Sequence, residues 1–269
     1  MQKVATPIDV KLMNVTALVL FLGALVLGLV ALVQWTARQP LFAIRGISVV
    51  GDVVHNNDVT LRANLGGKIK GTFFTVDLNA TKAAFEAVPW VRKAVVRREF
   101  PNRLRVVLQE QQATAYWGDD GDSRLLNTYG EVFEANVGEV DRDDMPHLDG
   151  PVEQAGQVLG MYHTLAPLLT PLDMVLNQLI LTKRGGWRMQ TDAGGEVELG
   201  RGTAEEITQR VQRFIGTVAQ VAQQYGRTVD AVEQADLRYT EGYALRLRGV
   251  TTLAAPAPVP VPKSKPKEH

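Results

Sequence analysis

Nineteen consecutive residues, Val15 to Val33, carry no charged side chain. At about 1.5 Å rise per residue, a helix of this length spans about 28 Å, close to the hydrocarbon thickness of a bilayer. Trp35 follows where an aromatic ring would sit at the membrane–water interface. A cleaved signal peptide would have a shorter apolar core ending in small residues. Here Gln34-Trp35-Thr36 stands in that place, so the run reads as an uncleaved anchor over residues 15–35.

The arm before it, residues 1–14, carries Lys3 and Lys11 against Asp9, while Arg38 and Arg45 follow the run. This charge distribution barely orients the helix. A short arm ahead and a long region behind make a cytoplasmic N-terminus and an exterior C-terminal part the natural topology.

From Arg38 onward there is enough chain for one or two compact domains. Formal net charge is zero, which gives no support to nucleic-acid binding through a basic surface. Cysteine is absent, removing disulfide scaffolds, thiol nucleophiles and thiolate metal sites.

The apolar spacing then marks out elements. Phe42, Ile44, Ile47 and Val49 suggest a strand whose phase breaks near Gly46 and which ends at Gly51-Asp52. Asn56-Asn57-Asp58 offers N-cap chemistry to a short helix carrying Val59, Leu61 and Leu65 and closed by Gly66-Gly67. A second helix starts near Asp77, with Leu78, Phe85 and Val88 on its stripe and Pro89 as its stop. Two strands follow, Val91–Phe100 and one in which Leu104, Val106 and Leu108 alternate with polar residues, joined by Pro101-Asn102. Residues 41–110 therefore form a β-α-α-β-β unit.

Residues 111–250 read as a mixed β domain with two helices. One helix covers Val152 to Leu169 and is weakened near its end by Pro167. The other opens at Thr203-Ala204-Glu205-Glu206, a capping-box spacing, and continues along Ile207, Val211, Ile215 and Val218. Strands are expected at Val175–Thr182, Trp187–Thr191, Val197–Leu199 and Val232–Tyr239. That last stretch leads through Thr240-Glu241-Gly242 to Tyr243, Leu245 and Leu247, which alternate with Ala244, Arg246 and Arg248. The Pro- and Lys-rich stretch 251–269 cannot build a core and reads as disordered.

Catalytic patterns are scarce. Ser48, Ser123 and Ser264 lie in no nucleophile motif, and His55, His147, His163 and His269 lack metal-ligand spacing. Gly66-Gly67-Lys68 lacks the remaining residues of a phosphate loop. Asp119, Asp120 and Asp122 read as a hairpin turn, and Asp141, Asp143 and Asp144 as a solvated loop; neither set has calcium-loop spacing. No cofactor or metal is expected. Arg97-Arg98 with Arg103 and Arg105 makes a basic pair of strands, either the solvated face of an amphipathic sheet or a surface for a partner or for anionic headgroups.

Several stretches taken in order resemble a known family. Val88-Pro89-Trp90-Val91, Val95-Val96-Arg97-Arg98 and Phe100-Pro101-Asn102-Arg103-Leu104 are similar to the second half of a POTRA (polypeptide-transport-associated) domain. Ala115-Tyr116-Trp117, Leu126-Asn127-Thr128-Tyr129-Gly130-Glu131-Val132-Phe133, Leu199-Gly200-Arg201-Gly202 and Asp236-Leu237-Arg238-Tyr239 extend the likeness to the FtsQ family of bacterial cell-division proteins. The resemblance implies an α+β architecture: a single N-terminal transmembrane helix, a POTRA domain, then a β domain. It also implies an inner-membrane, periplasm-facing scaffold of the division machinery, enriched at the septum and without catalysis of its own. Its expected partners are FtsB and FtsL, captured by strand addition at the last strand of the β domain, with other division proteins at the POTRA domain.

Carried onto this sequence, the family's binding positions fall on Arg184, Tyr239, Glu241, Gly242, Tyr243 and Leu245. Arg184 resembles an arginine that pairs with an acidic residue of FtsB, while Glu241 stands where the family often has a small residue. Read from the residues alone, Tyr239 is equally an edge or core aromatic, Gly242 a turn glycine and Arg184 an exposed hairpin charge. Two other classes fit the anchored layout: an envelope hydrolase with dispersed carboxylates in a cleft, and an outer-membrane transport partner. The second normally carries a β-barrel, and no barrel-length set of alternating strands follows here.

Overall fold

The computed structural model describes residues 8–118, 123–140 and 145–251. The arm before Ile8, the Asp119–Asp122 and Asp141–Asp144 turns and nearly all of the 251–269 tail lie outside the described residues. The chain divides into two compact units, Met1–Ala113 with Phe133–Asp141, and Thr114–Val132 with Arg142–His269.

The first unit opens with α1 (Ile8–Ala37). Its stretch Leu12–Ala37 is long and apolar enough to cross a membrane, and none of that stretch is buried against the protein. A single helical turn, Pro40–Phe42, follows, so the strand expected from Phe42 begins only at Gly46. Pro40 fixes the turn geometry that the alternation of Phe42 and Ile44 concealed. Then come β1 (Gly46–Gly51), α2 (Asp58–Leu65), α3 (Leu78–Glu86), β2 (Val91–Glu99) and β3 (Arg103–Glu110). The sheet order is β1-β3-β2, with β1 parallel and β2 antiparallel to the central β3.

Asn57 caps α2 through Thr60 N–H, and Asp77 caps α3 through the N–H groups of Asn79 and Ala80. Leu61, Leu65, Phe85, Val91, Ala94, Val106 and Leu108 fill the core between helices and sheet. Val88 joins that core from beyond the end of α3 rather than from its stripe. Trp90 adopts a left-handed backbone (φ 68°) rare for a bulky residue. Its ring stacks on His55 at 4.0 Å, and its Nε1–H donates to Glu139 at 2.7 Å, which together hold it there.

The remaining elements are β4 (Ala113–Trp117), β5 (Arg124–Asn127), β6 (Val132–Glu134), β7 (His147–Asp149), α4 (Ala155–Leu169), β8 (Leu176–Leu181), β9 (Trp187–Thr191), β10 (Glu196–Gly200), α5 (Ala204–Gln224), β11 (Val232–Asp236) and β12 (Ala244–Leu247), all within the second unit save Ala113, Phe133 and Glu134. They build a nine-stranded sheet in the order β12-β11-β10-β9-β8-β7-β4-β5-β6. It is mixed: β4–β7, β7–β8 and β10–β11 run parallel, whereas β8–β9, β9–β10 and β11–β12 run antiparallel.

Helices α4 and α5 touch each other and pack on β7, β8 and β10, so both cover one face of the sheet. Thr203 and Glu206 form the reciprocal cap that opens α5. Its buried stripe is Ile207, Val211, Phe214, Val218 and Ala222, while Ile215 is only partly buried. Phe214 and Ala222 complete the spacing that the sequence reading traced through Ile215.

Candidate functional site

Among the described residues, the sheet of the second unit ends at β12, which has β11 as its one neighbour in the strand order. An edge strand leaves half of its backbone N–H and C=O groups without a ladder partner, and such a row templates pairing with another chain. The register runs from Asp236↔Ala244 to Val232↔Leu247, with a bulge between Val232 and Gln234. Arg248 N–H donates inward to Ala231 O at 2.8 Å. Alternation along an antiparallel strand then turns the N–H groups of Leu245 and Leu247 outward.

Side chains along β12 divide cleanly. Ala244 and Arg246 are exposed, whereas Tyr243 and Leu245 lean on the core and Leu247 is buried. The Tyr243 ring meets Phe214 edge-on at 5.2 Å, and its hydroxyl lies 2.9 Å from Thr217 Oγ1. Both Tyr243 and Leu245 therefore spend their side chains on fixing the strand, and offer a partner mainly their backbone.

The extended stretch expected to reach Tyr239 leaves the ladder after Asp236, and residues 237–243 form the connection to β12. Leu237 N–H still donates to Glu198 O at 2.8 Å. Arg238 folds back on Asp236, its Nε and Nη2 donating to the carboxylate at 2.8 and 2.6 Å. Those hydrogen bonds hold the Asp236 carboxyl below its ordinary range despite partial burial. From α5, Arg213 Nη1 donates to Thr240 O at 2.7 Å. The connection is thus pinned at its start and at Thr240, and it presents Tyr239 at 58 % exposure and Glu241 to solvent.

Gly242 has no left-handed φ, and a Cβ built on it meets nothing within 4 Å. The fold does not need a glycine there, and the space beside its backbone is open.

Arg184 lies in the turn between β8 and β9, exposed. Following the pairs Leu181↔Trp187, Trp187↔Gly200, Glu198↔Asp236 and Asp236↔Ala244 puts this turn at the same end of the sheet as Tyr239–Gly242. It stands three strands in from the edge, about 14 Å at ordinary strand spacing. A strand added to β12 cannot itself reach Arg184. Only a ligand that continues across the sheet end touches both.

Arg210, Arg213 and Thr217 were missed by the sequence reading, yet they organise this end. Arg210 Nη1 donates to Leu199 O and Arg201 O at 2.9 and 2.7 Å, closing the end of β10. Their spacing along α5, beside the buried stripe at 207, 211, 214 and 218, was the available signal.

A carboxylate cleft is a different kind of site. Among the described residues Glu110 is the buried carboxylate, and it accepts from Val54 N–H, His55 N–H, Asn56 N–H and Asn56 Nδ2 at 2.8–3.0 Å. Burial alone would raise its pKa, but these donors outweigh it and keep the carboxyl below the usual value. It ties the loop before α2 to the end of β3 and has no second buried acid beside it among the described residues. No group of three His, Asp or Glu among the described residues is placed to hold a metal ion.

Residues 42–111 match the family described as POTRA domain, FtsQ-type, and residues 115–238 match Cell division protein FtsQ/DivIB, C-terminal. The second match contains Arg184 and stops one residue before Tyr239. Similar proteins include the cell division protein FtsQ of Burkholderia pseudomallei, 37% identical over 91% of this chain and 96% of that protein. FtsQ of Thiomonas arsenitoxydans is 36% identical over 91% of this chain and 89% of its own length. FtsQ of Bordetella pertussis is 36% identical over 96% and 97%, respectively.

Proposed function

Because the chain belongs to the FtsQ family of cell division proteins, we propose that it is a noncatalytic scaffold that captures the FtsB–FtsL pair by strand addition at β12. The observation that carries this reading is the open edge of β12, entered past an exposed tyrosine and a glycine with free space beside it. Main-chain hydrogen bonds along residues 244–247 supply affinity, and Tyr239, Glu241 and Gly242 shape the entrance. Tyr243 and Leu245 hold the strand flat for the incoming backbone. Arg184 pairs with an acid in the part of the ligand that crosses the sheet end. In this role α1 anchors the chain in the inner membrane with its N-terminus in the cytoplasm, and both units work in the periplasm at the division septum. The POTRA domain is left for further division proteins.

The test is a titration of the full chain, reconstituted in lipid nanodiscs, with the extracytoplasmic parts of FtsB and FtsL. Tyr239→Ala is expected to weaken binding by about 2 kcal/mol, roughly thirtyfold, as a central aromatic contact would. The amides of Leu245 and Leu247 should gain hydrogen-exchange protection in the complex. Unchanged affinity in the variant together with unprotected β12 amides rejects the assignment.

A further inference from the structure

The end of the first unit nearest α1 is built from apolar and basic side chains. Thr72 Oγ1 donates to Ala37 O, the last residue of α1, at 2.6 Å, and Phe73 N–H donates to Phe42 O at 2.7 Å. Rings continue outward from this junction: Phe42 on Phe74 at 5.0 Å, Phe74 on Phe73 at 5.2 Å, and Phe73 towards Phe100 at 6.5 Å. Phe73 is buried, but Phe100 is 83 % exposed, Leu41 72 % and Phe74 52 %.

Three separate segments bring these side chains together, and the fold holds them in place. Arg98 Nε and Nη2 donate to Phe73 O and Val76 O at 2.7 and 2.8 Å, fastening the phenylalanine loop to β2. Arg45 N–H donates to Asn102 O at 3.0 Å, fastening the β2–β3 hairpin to the residues leaving α1. Exposed apolar surface made by such a pinned arrangement fits a partner better than it fits water.

Charge at this end is one-sided although the whole chain is neutral. Segments 38–45, 68–74 and 97–105 contain Arg38, Arg45, Lys68, Lys70, Arg97, Arg98, Arg103 and Arg105 against the single acid Glu99. Arg97 and Arg105 are exposed and sit directly opposite each other across the ladder, a repulsive pairing in water that anions relieve.

Length decides what the surface meets. Leu12–Ala37 contains 26 residues, about 39 Å of helix, which consumes the hydrocarbon core and most of both interfacial layers. Leu41 and Phe42 follow within five residues of Ala37, so the cluster emerges at headgroup depth, where aromatic rings and arginines are both favoured.

We propose that Leu41, Phe74 and Phe100 insert into the interfacial layer of an anionic phospholipid bilayer on the side where α1 exits, docking the first unit onto the membrane. The basic residues around them face the lipid phosphates. The proposal rests on α1 spanning the bilayer.

The chain has no cysteine, so single labels can be placed without removing any. Nitroxides are attached at Phe100→Cys, at Val59→Cys as an exposed position elsewhere in the first unit, and at Leu22→Cys inside the helix. The full chain is reconstituted at one copy per nanodisc of phosphatidylcholine with a minor fraction of phosphatidylglycerol. Power saturation is read against oxygen and a water-soluble nickel chelate. The label at 100 is expected to lose nickel accessibility several-fold relative to 59, and to regain it in the Leu41→Asp/Phe74→Asp background. Equal accessibility at 100 and 59, with Leu22 in lipid, overturns the docking. A water-exposed label at Leu22 overturns the span on which it rests. Protection at 100 that arises only when discs hold more than one copy assigns the surface to a second chain instead, and also overturns it.

Discussion

The aromatic and basic end of the first unit and the β12 edge of the second are made of different material. At the membrane-proximal end of the first unit, side chains from three segments converge, and Arg98 and Arg45 pin the loops that carry them. At the edge of the second unit, one short strand exposes its backbone while Tyr243, Leu245 and Leu247 face inward. A side-chain surface is dispersed, so one substitution weakens it by degrees. A backbone edge is nearly indifferent to the side chains that point away from it, and a residue without an N–H breaks it at once. The contrast gives each surface its own mutational signature.

Proline at β12 should give the largest effect. Leu245→Pro removes one outward N–H and disturbs its neighbour in any added ladder, about 2–3 kcal/mol or roughly 30- to 150-fold in affinity for FtsB–FtsL. Edge strands accept proline, so the strand order should survive, held by Tyr243 and Leu247 although the Leu245 packing is reduced. Arg246→Ala, which changes an exposed side chain on the same strand, should move affinity less than threefold. Comparable losses in the two variants, measured by titration, would return β12 to the side-chain class and erase the distinction.

The same contrast explains what could be read from the sequence. Elements announced by period and caps were legible: the β-α-α-β-β order, the Thr203–Glu206 cap and the alternation of Tyr243 to Leu247 all stand in the structure. The edge role of the terminal strand came with the family resemblance, and among the described strands β12 does stand at the end of the sheet. Legibility failed where distant residues meet. Phe100 reads as the end of a strand and Phe74 carries no signal until the bonds of Arg98 and Asn102 bring their segments together. The spacing of Arg213 places it beside the buried stripe of α5 but does not point to Thr240 as its partner, and Pro40 overrode the alternation that suggested an earlier strand. Glu110 carries no signal in the sequence, and only the fold surrounds it with donors.

That carboxylate supplies the next test, at the far end of the first unit's sheet. Seven steps along β3 separate Arg103 beside the aromatic cluster from Glu110, about 23 Å. Because hydrogen bonds keep the folded carboxyl below its reference value of 4.5 despite burial, its stabilisation is fully present above that value. It is lost as pH falls through the folded value. Glu110→Gln should therefore destabilise the first unit by about 1–3 kcal/mol at neutral pH and flatten its acid sensitivity below about 4.5. Thermal unfolding across that range checks both parts. Lipid access at position 100 should stay as in the parent chain at neutral pH, since the clamp and the aromatic cluster are separate supports of one sheet.

Gly242→Val makes the smallest perturbation and the sharpest comparison. Its φ is ordinary and the added side chain enters open space, so folding stability should stay within about 0.5 kcal/mol of the parent. A partner backbone approaching β12 would meet the new methyl groups, and affinity should fall about tenfold, or about 1.4 kcal/mol. Strand addition at this edge predicts the two readings to separate: melting temperature unmoved, binding reduced. A valine that lowers stability and binding together makes Gly242 a requirement of the turn. A valine that changes neither means that the partner's backbone does not pass this point, and capture must then begin further along β12.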